Sequence, residues 1–375
     1  MKRLECLDGL RGFLAVYVLL GHMAPFASLP EWVQIGLSHG GAAVDMFFML
    51  SGLVITQSLL HADCRATPFL IARAARIFPV FLVVFALAVT IQPLSCGFDH
   101  MPWIDPDGPA RSICVAEWPH TWLPEITAHL TMIHGLIPNG VLPHAWVSFL
   151  GSAWSLSTEW QFYLVALLTG HQSRRLGWML LILAAVGVGW HLVVPDTWQF
   201  SRAFLPNKGH FFALGVASVA VVRRDTGALF RYAIFLAGCL AVCAAQGSIG
   251  KMVPPLAWTF CLAVQMRPTA HGLNLVNGFL RSREAKYLGA ISYCLYLVNE
   301  PIHKIASTIL SWFADGDSTR FTLMWIPAAI GLPLLAAAGL HRYLEAPVLG
   351  WGRSLARRSI KDRTSVPGQV HEPAL

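Results

Sequence analysis

Residues 7–22 read LDGLRGFLAVYVLLGH, which has the composition of a membrane-spanning helix but carries Asp8, Arg11 and His22. Charged groups within hydrocarbon are costly, and they usually mark a functional path. Arg11 and His22 are eleven positions apart, so a helix places them on nearly the same face, roughly 16 Å apart along its axis. We expect a guanidinium near one membrane surface and an imidazole near mid-bilayer, suited to an anionic ligand that reaches inward to a proton-transfer group. The alternative is that Arg11 merely extends to the membrane surface.

The composition is that of a membrane protein. Hydrophobic residues make up 55% of the 375 residues and charged residues only 13%, about half the charged fraction of a soluble domain. A helix needs about 20 apolar residues to cross a bilayer, and several runs approach that length. The sequence therefore predicts an all-α, polytopic membrane bundle of about ten transmembrane helices, at approximately 8–28, 42–60, 68–92, 152–170, 176–194, 209–222, 231–247, 252–266, 287–312 and 321–342.

Basic residues alternate between loops in the way that orients membrane proteins. With the N-terminus in the cytoplasm, the inside segments hold 20 of the 27 lysines and arginines, and the outside segments hold five. The remaining two, Arg11 and Lys304, lie within predicted spans. This asymmetry predicts a multi-pass protein of the cytoplasmic membrane with both termini inside. The net charge of +7 is then a topology signal, and no basic–aromatic motif indicates nucleic-acid binding.

The segments outside the spans carry two further expectations. The longest loop, from about 93 to 150, is rich in Pro, Trp and His, as in segments with interfacial or re-entrant helices. Cys96 and Cys114 both fall in this outside loop, where a disulfide persists. We predict that they pair, with two free thiols as the alternative. Residues 1–350 are expected to form the membrane domain, and residues 351–375 a basic, disordered cytoplasmic tail.

The second predicted span opens with the motif VDMFFMLSGLVIT, residues 44–56. It brings Asp45 and Ser51 into the span, and Gly52 allows close helix packing. Taken alone, an apolar helix with a Ser-Gly pair is commonplace.

The third span begins with RAARIFP, residues 73–79. Arg73 and Arg76 are three positions apart, so they share a helix face at the cytoplasmic side. Two guanidiniums held in this way suit a phosphate or pyrophosphate. Anchoring at the inner surface explains either arginine singly.

Three more motifs place polar groups in later spans. WSLSTEWQFYL, residues 154–164, puts Glu159 at the outer end of the fourth span, where a carboxylate is expensive unless it is paired. Three roles fit the Glu159 carboxylate: it orients a histidine, it binds a sugar hydroxyl, or it caps the structure. ISYCLYLVNEP, residues 291–301, brings Tyr, Asn and Glu side chains into the ninth span, where bonding between helices is the expected role. YLEAPVLGWGR, residues 343–353, suits a helix-end salt bridge.

The ordered set of motifs is more specific than any one of them. Over roughly residues 4–353 the chain resembles the acyltransferase-3 family of integral membrane acyltransferases. The motifs that carry the resemblance are, in order, LDGLRG with His22 after nine intervening residues, VDMFFMLSG, RAARIFP, WSLSTEWQFYL, ISYCLYL and LEAP. The resemblance implies an O-acyltransferase that moves an acyl group, usually acetyl, from cytoplasmic acyl-CoA to a hydroxyl of a sugar, glycan or natural product. Many members have a histidine where this chain has Asn299, so a second histidine has no assigned role.

The resemblance also implies site residues. The family's Arg-x₁₀-His motif falls on Arg11 and His22, its Arg-x-x-Arg motif on Arg73 and Arg76, and its Trp-Ser-Leu-Ser-x-Glu segment ends at Glu159. The expected catalytic residues are His22, Glu159 and Asp45, and the expected acyl-CoA ligands are Arg11, Arg73, Arg76 and Ser51, with no metal.

The implied mechanism agrees with the spacing. An extended pantetheine arm is similar in length to the ~16 Å rise between Arg11 and His22, so phosphates at the cytoplasmic mouth would leave the thioester near the imidazole. Neutral His22 would then act as general base, a contribution of about 10²–10⁴-fold. The alternative is an acyl-histidine intermediate. The expected partners are acyl-CoA, a hydroxyl-bearing carbohydrate or small molecule and the lipid bilayer, with the oligomeric state left open.

Two functions outside this class remain open. A glycan-lipid flippase or transporter would use the same intramembrane polar residues, although the internal repeat typical of transporters is missing. A membrane scaffold or sensor would use them only to pack helices.

Overall fold

The computed structural model describes residues 4–61, 65–105, 107–169, 172–247, 249–267 and 272–364. Within these ranges the chain is helical, and its extended backbone pairs in one isolated antiparallel bridge, between Pro138 and Phe200. The α-helices are α1 (Glu5–Met23), α2 (Glu31–Leu37), α3 (Gly40–His61), α4 (Ala66–Thr90), α5 (Pro109–Ile113), α6 (Trp122–Leu130), α7 (Trp154–Thr169), α8 (Ser173–Val193), α9 (Leu205–Arg223), α10 (Ala228–Ala245), α11 (Val253–Met266), α12 (Leu273–Leu280), α13 (Arg283–Ala314), α14 (Ser318–Leu340) and α15 (Ala346–Thr364).

Each predicted span coincides with one of these helices, namely α1, α3, α4, α7 to α11, α13 and α14. Within the described ranges, seven helical segments are long and apolar enough to cross a membrane. Helices α7 and α11 have only 16 and 14 residues, short of the ~20 that a bilayer needs. Helix α13 has 32 residues but carries polar side chains along its length. The prediction of an all-α membrane bundle is confirmed.

The bundle is built from a few long helix pairs. Helix α1 packs along α13, which packs on α14, while α3 and α8 both pack on α9. Helices α3 and α9 cross where Gly52 meets Gly215: a Cβ at Gly52 would collide with the carbonyl oxygen of Phe212, and a Cβ at Gly215 with that of Met49. Small residues let backbones approach in this way, so the close packing predicted for Gly52 is confirmed.

The long loop between α4 and α7 is compact and cross-linked. It contains α5, α6 and several 3₁₀ turns, in agreement with the predicted short helices. Cys96 and Cys114 form the predicted disulfide, with their Cα atoms 6.3 Å apart. The ammonium of Lys304, on α13, donates to the carbonyl oxygens of Gln92 at 2.8 Å and Val115 at 2.9 Å. The loop is thereby held against the bundle.

The C-terminal segment corrects one expectation. Helix α14 continues through a π-helix, His341–Glu345, into α15, which packs on α4. The prediction of a disordered tail from residue 351 is therefore wrong as far as Thr364. The helix is ordered because it continues α14 and because Gly352 lies directly against Ala75. Residues 365–375, which include nearly all of the expected tail TSVPGQVHEPAL, lie outside the described residues.

Candidate functional site

His22 lies in the last turn of α1. The helix begins at Glu5 and has 19 residues, so position 22 falls at its C-terminal end, and the depth of the imidazole in the bilayer stays a prediction. Arg11 lies in the second turn of the same helix. The two side chains thus mark opposite ends of α1, as their spacing requires.

A side-chain amide determines which ring nitrogen of neutral His22 carries the proton. Nδ1 of His22 lies 2.6 Å from Oδ1 of Asn299. Nδ2 of Asn299 donates to the carbonyl oxygens of Leu295 at 3.0 Å and Tyr296 at 2.7 Å, so the amide oxygen is the atom that faces the ring. Because this oxygen can only accept, Nδ1 of His22 carries the proton. In the neutral ring Nε2 then keeps its lone pair, which is the state that a general base or a nucleophile requires.

Glu300 supplies negative charge beside the imidazole. Its Oε1 and Oε2 accept hydrogen bonds from the backbone N–H groups of Gly151 and Ser152, each at 3.1 Å. These amides begin the 3₁₀ turn Gly151–Ala153 that leads into α7, and helix starts favour carboxylates. Glu300 also lies within electrostatic reach of His22, where a negative charge stabilises an imidazolium as it forms.

His22 and Glu300 line a cavity of 1240 Å³ beneath the long loop. Tyr296, Trp154 and Arg202 line it as well. Sites for small molecules usually measure roughly 300–1,000 Å³. The cavity therefore has room for a substrate larger than a single sugar ring next to Nε2 of His22.

Glu159, Ser51 and Tyr163 form a hydrogen-bonded cluster, and these three residues are not among those that line the cavity. Oε1 of Glu159 accepts from the hydroxyl of Ser51 at 2.8 Å and from that of Tyr163 at 2.6 Å. Glu159 also lies within electrostatic reach of Arg11 and of Tyr296. The structure thus brings Glu159 together with Ser51, and the contact that orients His22 is made by Asn299.

Arg76 has a carboxylate partner that the sequence did not pair with it. Its guanidinium forms an ion pair with Glu345 of the π-helix and lies 5.1 Å from the ring centroid of Tyr293. The Glu345 side chain is fully buried and also accepts from Nδ1 of His341 at 2.6 Å. The salt bridge expected from the YLEAP motif therefore joins α4 to the end of α14.

Arg73 and Arg11 keep hydrogen-bond donors available. Nη2 of Arg73 makes a long contact of 3.4 Å to the hydroxyl of Ser58, and its buried Nε has no partner in the described part of the chain. Arg11 lies within electrostatic reach of Arg73 and Arg76, and no hydrogen bond of its guanidinium occurs among the described residues. Arg76 is paired with Glu345, and Asp8 and Glu159 lie within electrostatic reach of Arg11, so Arg73 is the cation of this cluster best placed to bind an added anion.

Asp45 is part of an ion pair between helices. Its Oδ1 lies 2.6 Å from Nζ of Lys208 on α9, and its side chain is only 7% exposed. The ammonium of Lys208 also lies 5.8 Å from the ring centroid of Trp154. The carboxylate of Asp45 is thereby occupied, so the predicted catalytic role would require this pair to open.

The comparison with protein families agrees with this arrangement. The model of the acyltransferase-3 family, described as an acyltransferase domain, matches residues 4–342. The chain belongs to the acyltransferase-3 family. The family assignment made from the sequence motifs is therefore confirmed, and the matched region of this acyltransferase contains every site residue described above except Glu345.

Three curated relatives carry related names. Acyltransferase MdmB of Streptomyces mycarofaciens is 27% identical over 95% of this acyltransferase and 93% of the relative. An O-acetyl transferase of Shigella phage Sf6 is 28% identical over 44% of this chain and 45% of its own length. O-acetyltransferase OatA of Staphylococcus aureus is 23% identical over 92% of this chain and 57% of its own length. This chain thus spans about half the length of the last two relatives, and no solved structure matches it. Acyl transfer is the chemistry that the family and these relatives share, and the last two relatives are named as O-acetyl transferases.

Two residues of the acyltransferase site were missed by sequence reasoning. Asn299 and Glu300 were given only a role in helix packing, and Asn299 was noted as a departure from the family pattern. The available signal was their position: an amide and a carboxylate side by side before Pro301 in a membrane span are costly unless they have partners.

Proposed function

We propose that this protein transfers an acyl group, acetyl in the first instance, from acyl-CoA to a hydroxyl of a sugar, glycan or natural product. The observation that carries the proposal is the 2.6 Å contact between Nδ1 of His22 and Oδ1 of Asn299. It assigns the proton of the neutral ring to Nδ1, so that Nε2 carries the lone pair, and His22 lines a large cavity. A base in that position is what hydroxyl acylation needs.

The transfer is a balanced exchange at one carbonyl carbon. Nε2 of His22 takes the proton of the acceptor hydroxyl as its oxygen attacks the thioester carbonyl. The C–S bond then breaks, and the sulfur leaves as the free thiol with the proton returned by His22. Glu300 stabilises the intermediate imidazolium. In the alternative route, Nε2 attacks the thioester itself, and the acyl-histidine is then attacked by the acceptor.

The arginine cluster is the proposed site for the donor phosphates. Arg73 and Arg11 keep donors free, and guanidiniums bind phosphates through paired N–H groups. The distance of ~16 Å along α1 between Arg11 and His22 suits an extended pantetheine arm. Glu159, bonded to Ser51, lies within electrostatic reach of both Arg11 and Tyr296, and we propose that the two residues support the donor arm between the arginine cluster and His22. Asp45 acts through Lys208 by holding α3 on α9.

The orientation proposed for the protein follows from its loop charges. Residues 1–350 form the membrane domain, the arginine cluster faces the cytoplasm and the cavity beneath the long loop faces outward across the cytoplasmic membrane. The excess of lysine and arginine in alternate loops supports this arrangement. A reporter fused after Leu375 that was active only outside the cytoplasm would overturn it.

The decisive experiment uses the purified full chain in lipid nanodiscs with radiolabelled acetyl-CoA. We expect His22→Ala to lower the rate of acetyl-CoA consumption at least a hundredfold, while donor binding and the melting temperature change little. His39→Ala is the matched control, since His39 is exposed on a loop. If His22→Ala kept more than about a tenth of the rate, His22 would not be the base. Label that stays on denatured wild-type protein, and is absent from His22→Ala, would assign the acyl-histidine route.

The acceptor is identified by a second measurement. Mass spectrometry compares the cell-surface glycans and small metabolites of a deletion strain with those of the parent. The molecule that loses an acetyl mass on a hydroxyl in the deletion strain is the acceptor. If no such molecule were found and the purified protein released no CoA, the transferase assignment would fail for this chain.

A further inference from the structure

Arg202 occupies a distinctive position in the wall of the cavity. Its guanidinium carbon lies 4.6 Å from the ring centroid of Trp146 and 5.5 Å from that of Trp154, and all three residues line the cavity. Stacking on aromatic faces holds a guanidinium in place but uses none of its N–H groups. The edges of Arg202 therefore keep five hydrogen-bond donors.

These donors lack acceptors in the described part of the protein, where no hydrogen bond or salt bridge of Arg202 occurs. Asp45 lies within electrostatic reach of Arg202, but its carboxylate is already paired with Lys208 at 2.6 Å. Arg202 is exposed to solvent, partial desolvation lowers its pKa while nearby Tyr296 and Asp45 raise it, and a guanidinium remains charged in proteins. Arg202 is thus a preorganised cation without a contacting anion.

Glu300 and Lys304, the two charged residues of α13 that line the cavity, already have partners. Both carboxylate oxygens of Glu300 accept from backbone amides. The ammonium of Lys304 donates to two backbone carbonyl oxygens. Because their donors and acceptors are used within the protein, neither group is as well placed as Arg202 to bind a charged substrate.

Arg202 also lies close to the reacting groups. It is within electrostatic reach of Tyr296, whose backbone carbonyl oxygen accepts from Asn299. Asn299 in turn holds His22. An anionic group bound at Arg202 would therefore sit in the same cavity as the hydroxyl presented to Nε2.

We propose that Arg202, stacked between Trp146 and Trp154, binds an anionic group of the acyl acceptor, so that the preferred acceptor is a polyhydroxyl compound bearing a carboxylate or a phosphate. This inference rests on the proposed function, and it assigns the acceptor class that the cavity selects.

The test measures binding without the acyl donor, so it does not depend on turnover. Methyl β-D-glucuronide and methyl β-D-glucoside differ only in a carboxylate against a hydroxymethyl group, and glucose 6-phosphate and glucose form the phosphate pair. Affinity is measured by thermophoresis of the purified full chain at low salt. A charge-assisted contact predicts at least about tenfold tighter binding for one or both acidic probes. The pair with the larger ratio identifies carboxylate or phosphate as the preferred group.

Variants then assign the effect to this residue. Arg202→Gln should remove the preference, and Arg202→Lys should keep part of it. Arg111→Gln is the matched control because Arg111 also stacks on a ring, 4.5 Å from the centroid of Phe98, yet it is not among the residues that line the cavity. Equal affinities of wild-type protein for acidic and neutral probes, or no measurable binding of any probe, would overturn the proposal, and neither result needs a folded variant. Acidic preference in a protein that shows no transfer would contradict the proposed function but not this binding site.

Discussion

His22 and Asn299 are separated by 277 positions in the sequence, yet their side chains meet at 2.6 Å and form the centre of the site. The contact joins α1 to α13, the helix pair that packs along its length at the middle of the bundle. The amide of Asn299 is itself held by two backbone carbonyl oxygens of α13. The tautomer of the imidazole is therefore set by a rigid helix and not by a loop.

Replacing Asn299 tests this relationship. Asn299→Leu removes the acceptor for Nδ1, so the ring can rotate or carry its proton on Nε2. We expect turnover to fall about 10–100-fold, with little change in the apparent constant for the acyl donor. Asn299→Asp restores an acceptor at the same place and should recover most of the activity. Steady-state kinetics on variants of matched melting temperature measure the effect, and full activity of Asn299→Leu would contradict it.

The ion pair between Arg76 and Glu345 predicts a stability effect. Arg76→Ala leaves a fully buried carboxylate whose remaining hydrogen-bond partners are His341 and Cys294, and breaking a buried pair costs roughly 3–5 kcal/mol. We expect a clearly lower melting temperature. Arg76→Met combined with Glu345→Leu should recover most of it, because both charges are removed together.

Arg73→Ala is the contrasting variant for the same arginine motif. Arg73 makes only a long contact to Ser58, so its loss should leave the melting temperature nearly unchanged. The apparent constant for acyl-CoA should rise tenfold or more, since a charge-assisted contact is worth roughly 1.5–3 kcal/mol. Unchanged donor binding would instead leave Arg73 as an anchor at the membrane surface.

The disulfide predicts a loss of stability on reduction. The bridge closes a loop with a sequence separation of 18, for which the chain-entropy model gives about 3 kcal/mol. The carbonyl of Cys96 also accepts from the hydroxyl of Ser307 on α13 at 2.8 Å, so this end of the loop is tied to the bundle. Reductant should lower the melting temperature of wild-type protein and have no effect on Cys96→Ser/Cys114→Ser. Identical melting temperatures of wild-type protein with and without reductant would show that the disulfide does not stabilise the fold.

A stacked histidine pair in the long loop predicts acid sensitivity. The ring centroids of His129 and His134 lie 4.2 Å apart, and Nε2 of His134 donates to the carbonyl oxygen of Ala153 at 3.2 Å. Burial lowers the pKa of His134 from 6.5 to about 4. The ring binds a proton near pH 6.5 in the unfolded chain but only near pH 4 in the folded protein. The folded protein therefore has its full stability above pH 6.5 and loses stability as the pH falls toward 4. The loss approaches about 1.4 kcal/mol per pH unit for one proton.

The variant His134→Gln measures how much of the acid sensitivity is due to this residue. A neutral amide can still donate to Ala153 but binds no proton, so we expect melting temperatures of the variant to change less between pH 7 and pH 4.5 than those of wild-type protein. The remaining pH dependence of the melting temperature then comes from His129, because burial also lowers its pKa well below 6.5. Parallel pH dependence in the two proteins would show that His134 does not carry it.

Much of the architecture could be predicted because membrane helices are encoded locally. The ten apolar runs, the Gly52 crossing and the pairing of the two loop cysteines each follow from residues close in sequence or from one compartment rule. The first span was placed three residues too late, because a helix end depends on where the chain turns. The segment after residue 351 was misjudged because its order comes from packing on α4.

The sequence by itself determined that this protein is a helical membrane protein and that Arg11 and His22 face one way on one helix, since composition and helical period are local properties. The acyltransferase family was identified separately, from the resemblance of the ordered motifs. Only the tertiary structure decided the partners. Asn299 for His22, Lys208 for Asp45 and Glu345 for Arg76 are 277, 163 and 269 positions away. Partners at such distances are chosen by which helices pack together and in what register, because a buried charge or imidazole binds whichever polar group the packing presents.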